Sequence, residues 1–363
     1  PRGPRPLIAA RVARLRARMA AAGVDAVIAG PSADYRWLTG LHPPIPTRLT
    51  LAIVPLEGDP VIVTPGFEAP AGVGCEVVSW ADGTDADALA ADLLRRTSPA
   101  RVAVSDRTWA RYVLPLQAAL GQTFEGASSL IEPLRSVKDP AEQDALRRAG
   151  AAVDRVVGAL GELRFEGSTE RAIGRDLERL LVTCGHDSVH DVIVGSAGNG
   201  AIPHHAVGDR VIAAGDAIVI DIGGELDGYV SDVTRMVIVG EPPEGYDEVH
   251  AAVDAAHHAG RAAAVPGVTT GAVDAAAREV LAAAGYGANF THRLGHGIGL
   301  DTHEAPYLMP GGQTVLEPGM AFTIEPGAYL AGRFGIRIED TVILGTDRVD
   351  PVTVTPHAAL VVA

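Results

Sequence analysis

The sequence predicts an α/β domain followed by an α+β domain, and two observations support this order. In the first third, a buried-strand pattern at 25–30 and two strand patterns within 51–66 alternate with helical stretches. Such alternation is typical of helices that cover a mixed or mainly parallel sheet. Beyond about residue 187, after two long amphipathic helical patterns, the chain becomes rich in strand patterns and in polar, metal-binding residue types.

A change of pattern around residues 130–145 marks the start of the second domain. Asp139 precedes Pro140 in a turn-like sequence and is expected to cap the helix that follows. No low-complexity linker separates the two parts of the chain, and we place the domains at 1–134 and 135–363. Amphipathic patterns in the second domain predict helices at about 140–163, 168–183, 244–264 and 270–284.

Composition excludes several classes of function. With 363 residues and 47% hydrophobic composition the chain can bury a large core, and its net charge of −15 argues against nucleic acid and anionic membranes as partners. No apolar run approaches the roughly 18 residues that span a bilayer. The basic start lacks the apolar core of a secretion signal. Cys75 and Cys184 are far apart, which fits a reducing compartment, and we expect a cytoplasmic protein.

Five residues able to bind metal lie in order along the C-terminal half of the chain: Asp221, Asp232, His296, Glu325 and Glu339. Most are embedded in apolar or glycine-bounded stretches, where an unpaired charge would cost several kcal/mol and is retained only if paired or metal-bound. Four carboxylates and one imidazole form an oxygen-rich ligand set that suits two divalent cations. The pattern therefore predicts a dinuclear metallohydrolase.

The two aspartates belong to neighbouring apolar segments. Two strands joined by a short glycine-containing turn at Glu225–Gly228 would bring Asp221 and Asp232 face to face. Each aspartate alone is more typical of a capped strand end. The pair, in two otherwise apolar strands, favours a metal site.

The remaining ligand candidates lie in three short motifs. His296 stands between two glycines, which allow backbone to pack closely around its ring, and Glu325 ends an apolar strand before Pro-Gly. Alternation along a strand places Arg337 and Glu339 on one face. A surface salt bridge, worth under about 1 kcal/mol, is the alternative interpretation of that pair, but the flanking apolar residues favour a pocket.

Two further histidines follow glycine-rich loops. His303 lies seven residues after His296, and His204 stands in a Pro-His-His sequence. Histidines in such loops are often surface residues, and His204 by itself is weak evidence of a functional site. Beside the four carboxylates, His303 favours a site.

Together these motifs resemble the M24 metallopeptidase superfamily over roughly residues 135–363. The motifs that carry the resemblance are VIDIGGELDGYVSDVTR, LGHGIGLDTHEAP, FTIEPG and GIRIED. The N-terminal third, including ADYRWLTGL at 33–41, is similar to the smaller α/β domain of Xaa-Pro dipeptidases (prolidases), aminopeptidase P and creatinase. The resemblance implies a creatinase/prolidase-like N-terminal domain and a catalytic domain with the pita-bread fold.

The resemblance also implies a role for each site residue. Asp221 should chelate one metal, Asp232 and Glu339 should bridge both, and His296 and Glu325 should complete the second. Glu325 should also carry a proton during catalysis. The remaining expected site residues contact substrate or form the cavity wall, and the two histidines among them also stabilise the tetrahedral intermediate: His204, His303, Arg337 and Tyr229.

The function implied is that of a dinuclear exopeptidase that hydrolyses Xaa-Pro bonds with a metal-bridging hydroxide. The short two-domain length favours an Xaa-Pro dipeptidase over aminopeptidase P, which acts on longer peptides, and the intact ligand set disfavours a creatinase-like non-peptidase. Family analogy favours Mn²⁺, while Co²⁺, Fe²⁺ or Zn²⁺ also suit the ligands. A homodimer is a further expectation from the family, and the expected partners are Xaa-Pro di- or oligopeptides.

Overall fold

The computed structural model describes residues 6–42 and 47–363, with side chains from Ala9 onward. Internal contacts divide the chain into two compact units, one ending at Arg135 and the other comprising Ser136–Ala363. Among the described residues, every helix is too short or too polar to cross a membrane.

The first unit contains a six-stranded mixed sheet with the strand order β4-β3-β2-β1-β5-β6. Its strands are β1 (Ala26–Ala29), β2 (Leu51–Pro55), β3 (Val61–Pro65), β4 (Glu76–Trp80), β5 (Val102–Val104) and β6 (Glu125–Gly126). Its helices are α1 (Pro6–Ala22), α2 (Ala33–Thr39), α3 (Ala86–Arg95), α4 (Ala110–Leu120) and α5 (Ser128–Ser136). Strand β1 pairs antiparallel with β2 and parallel with β5, so the sheet is mixed, as the sequence predicts.

Helices α3 and α4 cover one face of this sheet. Leu94 and Leu116 from the two helices pack with Ile28 and Leu51 of the central strands, and all four side chains are fully buried. Burial of such aliphatic side chains stabilises a fold by roughly 1.5–3 kcal/mol each. The apolar alternation of the first third therefore reflects a closed α/β core.

The second unit contains the long helices and most of the strands. Its helices are α6 (Pro140–Gly158), α7 (Glu170–Thr183), α8 (Tyr246–Ala263) and α9 (Thr270–Ala283). Its strands are β7 (Ser188–Ser196), β8 (Ala217–Leu226), β9 (Tyr229–Val239), β10 (Gly295–Gly297), β11 (Glu304–Leu308), β12 (Ala321–Ile324), β13 (Gly327–Leu330), β14 (Phe334–Arg337), β15 (Asp340–Leu344), β16 (Val349–Pro351) and β17 (Leu360–Val362).

These strands form three sheets. One has the order β17-β9-β8-β7, another has the order β11-β10-β12-β15-β16, and β13 pairs with β14 alone. All pairs are antiparallel except that between β17 and β9. An isolated bridge between Thr234 of β9 and Glu339 links the first sheet to the segment that precedes β15.

Alternation along β8 separates core residues from polar ones. Ile218, Ile220 and Ile222 pack against α6 and α7 in one apolar cluster, while Val219 belongs to the core on the other side. Asp221 continues the face of Val219, because side chains alternate along a strand. A carboxylate is thereby placed on the side of the sheet opposite to α6 and α7.

The predicted helices of the second unit are present, with shorter ends than the pattern indicated. Helix α6 ends at Gly158, and a 3₁₀ turn at Leu160–Glu162 continues its apolar periodicity almost to residue 163. Thr169, one of two candidate N-caps, accepts a hydrogen bond from the backbone of Ala172. A 3₁₀ turn after a helix preserves the spacing of apolar residues, which explains the longer predicted element.

Asp139 caps α6 through a reciprocal capping box. Its carboxylate accepts hydrogen bonds from the backbone of Ala141 and Glu142, both at 3.0 Å. The Glu142 carboxylate accepts one at 2.8 Å from the backbone of Asp139. The predicted start of this helix is therefore confirmed.

We expect Asp139→Ala to lower the free energy of unfolding by about 0.5–2 kcal/mol, because two backbone donors lose their acceptor. Chemical denaturation followed by far-UV circular dichroism measures this loss. Asp144→Ala is the matched control, since Asp144 is exposed on the same helix and makes only a long ion pair with Arg147. Equal losses in the two variants would contradict the capping role.

Candidate metal centre

A cavity of about 720 Å³ lies in the second unit and collects most of the polar residues singled out from the sequence. Its lining includes the five predicted metal ligands and three of the four predicted wall residues: Asp221, Asp232, His296, Glu325, Glu339, His204, His303 and Arg337. Residues that are far apart in the sequence therefore meet in one place.

The β8–β9 hairpin positions the two aspartates. Its turn is Asp227-Gly228, and both residues have positive φ angles, 53° and 87°, as a two-residue type I′ turn requires. The register pairs Asp232 with Gly223, so Asp221 is its diagonal neighbour on the same face. The expectation that the carboxylates lie directly opposite each other is wrong, because the turn is tighter than the sequence segment suggested.

His296 lies on β10 between Gly295 and Gly297, where the neighbouring strands pack too closely for either glycine to carry a side chain. A Cβ atom on Gly295 would lie 2.0 Å from the carbonyl oxygen of Thr323, and one on Gly297 would lie 2.2 Å from that of Ala305. Real Cβ atoms do not approach backbone oxygens so closely. The two glycines are therefore required for β10 to insert between β11 and β12 and carry the imidazole into the cavity.

The ligand atoms of the candidate centre cluster tightly. One possible ligand atom each from Asp232, His296 and Glu339 lie within 4.8 Å of one another. His296 Nε2 is 3.4 Å from Glu325 Oε1 and 3.7 Å from Asp232 Oδ2. The other ring nitrogen, Nδ1, is 3.1 Å from the carbonyl oxygen of Gly297. Nε2 therefore faces the carboxylates.

Arg337 is buried beside the cavity with its guanidinium group committed to several acceptors. It donates to Asp221 Oδ2 at 2.5 Å, Thr234 Oγ1 at 3.1 Å and the Tyr329 hydroxyl at 2.9 Å. Glu339 instead accepts a hydrogen bond from Thr234 Oγ1 at 2.7 Å. Arg337 and Glu339 are both buried and do not form a surface salt bridge with each other.

Burial and mutual repulsion make the carboxylates reluctant to ionise. Burial, followed by repulsion from Asp221 and Glu325, raises the pKa of Asp232 well above its usual value. Burial, followed by repulsion from Asp232, does the same to the pKa of Glu339. Burial also raises the pKa of Glu325 to about 8, although Arg337 opposes the shift. Without a cation, these carboxyl groups therefore bind protons more readily than ordinary carboxyls do.

Burial favours the neutral form of three imidazoles that line the cavity. Burial lowers the pKa of His296 to about 3 and that of His292 to about 4, and it also lowers the pKa of His303. Neutral imidazole is the form that binds divalent metal ions. A neutral imidazole among carboxylates that repel one another fits a centre for divalent cations, whose positive charge offsets that repulsion.

The remaining predicted site residues lie in different places. His204 lines the cavity, and the ring of His303 lies 4.0 Å from that of His296, centroid to centroid. Tyr229 is not among the residues that line the cavity, and its hydroxyl donates to Glu142 at 3.0 Å. Its position at the start of β9 directs it toward α6, which the motif could not indicate.

Sequence reasoning missed a chain of hydrogen bonds behind the cavity. Arg337 donates to the Tyr329 hydroxyl, which is 2.8 Å from His292 Nε2. His292 Nδ1 is 2.7 Å from the carbonyl oxygen of Arg293 and must donate to it. His292 and Arg293 line the cavity. Their closeness in sequence to His296, four residues for His292 and three for Arg293, could have indicated a place in the site. No local sequence feature indicated that Tyr329 lies there.

Comparison with known proteins identifies the family. Residues 144–346 match Metallopeptidase family M24, and residues 11–137 match the Creatinase/Prolidase N-terminal domain. The first match spans more than half of the chain. The chain belongs to metallopeptidase family M24.

Relatives of this family member are similar along nearly their whole length. The probable dipeptidase PepE of Mycobacterium tuberculosis is 43% identical over 362 residues, covering 98% of this chain and 96% of that protein. The crystal structure of dipeptidase PepE from Mycobacterium ulcerans has a TM-score of 0.92 at 41% identity and covers 99% of this chain and 100% of that one. Prolidase from Thermococcus sibiricus has a TM-score of 0.92 at 33% identity, with 97% and 98% covered.

These likenesses confirm the predicted fold class, an α/β N-terminal domain of the creatinase/prolidase type and a pita-bread catalytic domain. They also show that the protein is a metallopeptidase and therefore a hydrolase. Membership of the family implies divalent metal ions, and the donor set of the cavity fits them.

The raised pKa of Glu325 predicts how the stability of the metal-free M24 protein depends on pH. A raised carboxyl pKa stabilises the fold fully below the ordinary value of about 4.5, and this stabilisation is lost as the pH rises through about 8. Only about one pH unit or more above the ordinary histidine pKa of about 6.5 are His292, His296 and His303 neutral both folded and unfolded, so that they no longer contribute. We therefore expect the Tm of chelator-treated protein to fall between about pH 7.5 and 8.5.

Differential scanning calorimetry at several pH values measures this fall. Saturating divalent cation should remove it, because the cation replaces the protons, and Glu325→Gln should reduce it in the metal-free protein. A Tm that stays constant over this range without metal would show that the carboxylates ionise without penalty.

Proposed function

We propose that this chain is a dinuclear metal-dependent Xaa-Pro dipeptidase. The observation that carries the proposal is the convergence of four carboxylates and one neutral imidazole on a single cavity in an M24 catalytic domain. The similarity to dipeptidase PepE and to a prolidase along almost the full chain supports the dipeptidase activity. The substrate is then an Xaa-Pro dipeptide.

Five residues would hold the two metal ions. Asp221 would hold the first, Asp232 and Glu339 would contribute to holding both, and His296 and Glu325 would complete the second. When bound, the ions supply a Lewis acid for the scissile carbonyl and a lowered pKa for the attacking water. We assign Mn²⁺, and Co²⁺, Fe²⁺ or Zn²⁺ also suit these donors.

Glu325 is the residue that moves the proton in this proposal. Its carboxylate takes a proton from the attacking water and passes it to the prolyl nitrogen, which leaves as a secondary amine. Thr323 Oγ1, 3.3 Å from Glu325 Oε1, orients the group.

The two histidines that contact substrate have different positions on the wall. His303 Nδ1 lies 3.5 Å from the Arg293 guanidinium, a group that can only donate, so the His303 proton is placed on Nε2. That N–H can donate to the carbonyl oxygen as it becomes an oxyanion. His204 follows the glycine-rich loop at 197–201 and forms part of the wall that receives the proline ring.

Arg293 supplies the specificity for dipeptides. Arg293 and Arg337 are the two arginines in the cavity lining, and Arg337 is occupied by Asp221, Thr234 and Tyr329. Arg293 has no carboxylate partner among the described residues and stacks over the Tyr307 ring at 4.6 Å.

In an Xaa-Pro dipeptide the free carboxylate is two bonds from the scissile nitrogen. A group next to His303 is therefore within reach of it, and a guanidinium can bind a carboxylate with two parallel hydrogen bonds. The substrate's protonated amine would lie at the acidic side of the cavity, near Asp221.

Several further expectations belong to this proposal. We infer that the protein is a cytoplasmic homodimer whose domains are 1–134 and 135–363. Aminopeptidase P, which removes one residue from longer Xaa-Pro peptides, is the second candidate activity, because the same ligand set serves both reactions. A creatinase-like non-peptidase is disfavoured by the M24 ligand set, which is intact.

Hydrolysis of an Xaa-Pro dipeptide and an Xaa-Pro-Xaa tripeptide by chelator-treated protein, with and without Mn²⁺, tests the proposed activity. We expect metal-dependent cleavage of the dipeptide and little cleavage of the tripeptide. Asp232→Asn should lose both bound metal and activity, because a bridging carboxylate oxygen is removed. Rapid tripeptide cleavage would assign aminopeptidase P, and no cleavage of either by metal-loaded protein would reject peptidase activity on Xaa-Pro bonds.

Arg293→Met should lower kcat/KM for the dipeptide by about 10- to 100-fold, mainly through KM, because a hydrogen-bonded ion pair is lost. For a dipeptide amide, which has no terminal carboxylate, the same change should have less than about a threefold effect. Arg348→Met is the matched control, since Arg348 is exposed in the turn between β15 and β16. Equal losses with both substrates would assign Arg293 a role other than carboxylate binding.

A further inference from the structure

A second group of metal-binding side chains lies outside the cavity, where helix α8 meets the C-terminal segment. His257 and His258 are consecutive on α8, and His357 stands between β16 and β17. One possible ligand atom from each of the three lies within 4.8 Å of the others. We call these residues the three-histidine cluster. Nothing in the proposed peptidase reaction uses them.

His257 is the member of this cluster whose polar atoms lack partners. It is fully buried, and neither ring nitrogen has a hydrogen-bond partner. Its Nε2 is 3.3 Å from Asp340 Oδ2, but the two atoms do not form a hydrogen bond. A buried polar group without a partner destabilises the fold, and coordination of a metal ion by the ring nitrogen would remove this cost.

The spacing around Asp340 matches that of ligands around one ion. With metal–ligand bonds of about 2.0–2.1 Å in a tetrahedron, neighbouring ligand atoms are about 3.3 Å apart. Asp340 Oδ2 is 3.3 Å from His257 Nε2 and 2.9 Å from His357 Nε2. These distances are similar to those in the candidate centre, where His296 Nε2 is 3.4 Å from Glu325 Oε1 and 3.7 Å from Asp232 Oδ2.

The second ring nitrogen of His357 and of His258 and the second carboxylate oxygen of Asp340 are hydrogen-bonded to other groups, as is common for metal ligands. His357 Nδ1 is 2.6 Å from Asp254 Oδ1, and His258 Nδ1 is 2.8 Å from the carbonyl oxygen of Asp254. Arg235 donates to Asp340 Oδ1 at 2.6 Å, and Asp340 Oδ2 accepts a hydrogen bond from His357 Nε2 at 2.9 Å. Loss of that one proton would leave the Nε2 atoms of the three histidines and Asp340 Oδ2 as potential ligands.

We propose that His257, His258 and His357 bind a single transition-metal ion of the Zn²⁺ class, separate from the dinuclear centre, and that Asp340, which lies beside His257 and His357, supplies a fourth donor. Three imidazoles and one carboxylate suit Zn²⁺, Co²⁺ or Cu²⁺ and are poor ligands for Mg²⁺ or Ca²⁺. Burial lowers the pKa of His257 to about 3, which keeps this ring in its metal-binding form at neutral pH. The ion displaces one proton from His357 Nε2 into solvent and connects α8, β15 and the C-terminal segment.

The test is a zinc count on the full chain. Wild-type protein is loaded with excess Zn²⁺, passed over a chelating resin to remove loosely bound ions, and analysed for zinc per chain. His258→Ala is the principal variant, because His258 is 64% exposed and its truncation leaves the core intact. His257→Leu is the second variant. We expect each variant to hold one zinc fewer than wild type.

His250→Ala is the matched control. His250 also lies on α8 and contacts the backbone of His357 at 3.0 Å, but it is not a proposed ligand, so its zinc count should equal that of wild type. The expected result is a difference of one zinc ion per chain between wild type and each variant. This difference does not depend on whether the cavity binds two ions or fewer. Absence of both cavity ions would contradict the proposed peptidase and leave this difference unchanged.

Cu²⁺ electron paramagnetic resonance provides a second measurement. The spectrum of wild type minus that of His258→Ala should show hyperfine coupling to several nitrogens, which the one histidine of the dinuclear centre does not supply. Equal zinc counts in wild type and both variants would overturn the proposal, and His357 would then be a protonated bridge between Asp254 and Asp340. An equal loss in the His250 control would also overturn it, since the zinc would be bound nonspecifically on the surface.

Discussion

Repulsion among buried carboxylates is the constraint on which the catalytic unit depends. Asp221, Asp232, Glu325 and Glu339 line one cavity, and a single buried guanidinium, that of Arg337, is bonded to one of them. Taking charges out of water is costly unless cations or hydrogen bonds compensate. Burial and mutual repulsion raise the pKa values of three of these groups, so their charged forms are disfavoured unless cations are bound. Stability and metal loading are therefore linked in this protein.

The framework around the site keeps these charges close despite their repulsion. The β8–β9 hairpin is fixed by a two-residue turn, and its other face is locked by an isoleucine row packed on α6 and α7. Strand β10 is inserted where only glycines fit on either side of His296. The cost of the charge cluster is thus offset by apolar packing on the opposite faces of the same strands.

Consecutive residues connect the cavity to the three-histidine cluster. Thr234 contacts the carboxylate of Glu339, while Arg235 donates to that of Asp340. Adjacent side chains on extended backbone point to opposite sides, so two neighbouring pairs serve two different environments. Glu339 lines the cavity, and Asp340 faces α8 and the C-terminal segment.

The sequence by itself determined the local features and the identity of the chemistry. Asp139 and Thr169 predicted helix starts because capping depends on neighbouring residues. Charged residues inside apolar strands predicted a metal site because isolated burial is too costly. Family motifs then predicted the fold class, which the comparisons confirm.

The tertiary structure alone decided which distant groups meet. Arg337 and Asp221 are 116 positions apart, and no local pattern pairs them. The two-residue turn makes Asp221 and Asp232 diagonal neighbours. Tyr229 bonds to Glu142 of α6 and does not line the cavity, whereas Tyr329 bonds to Arg337 behind it. His257 and His357 met for the same reason: packing of whole elements, rather than sequence spacing, sets contacts between residues far apart in the chain.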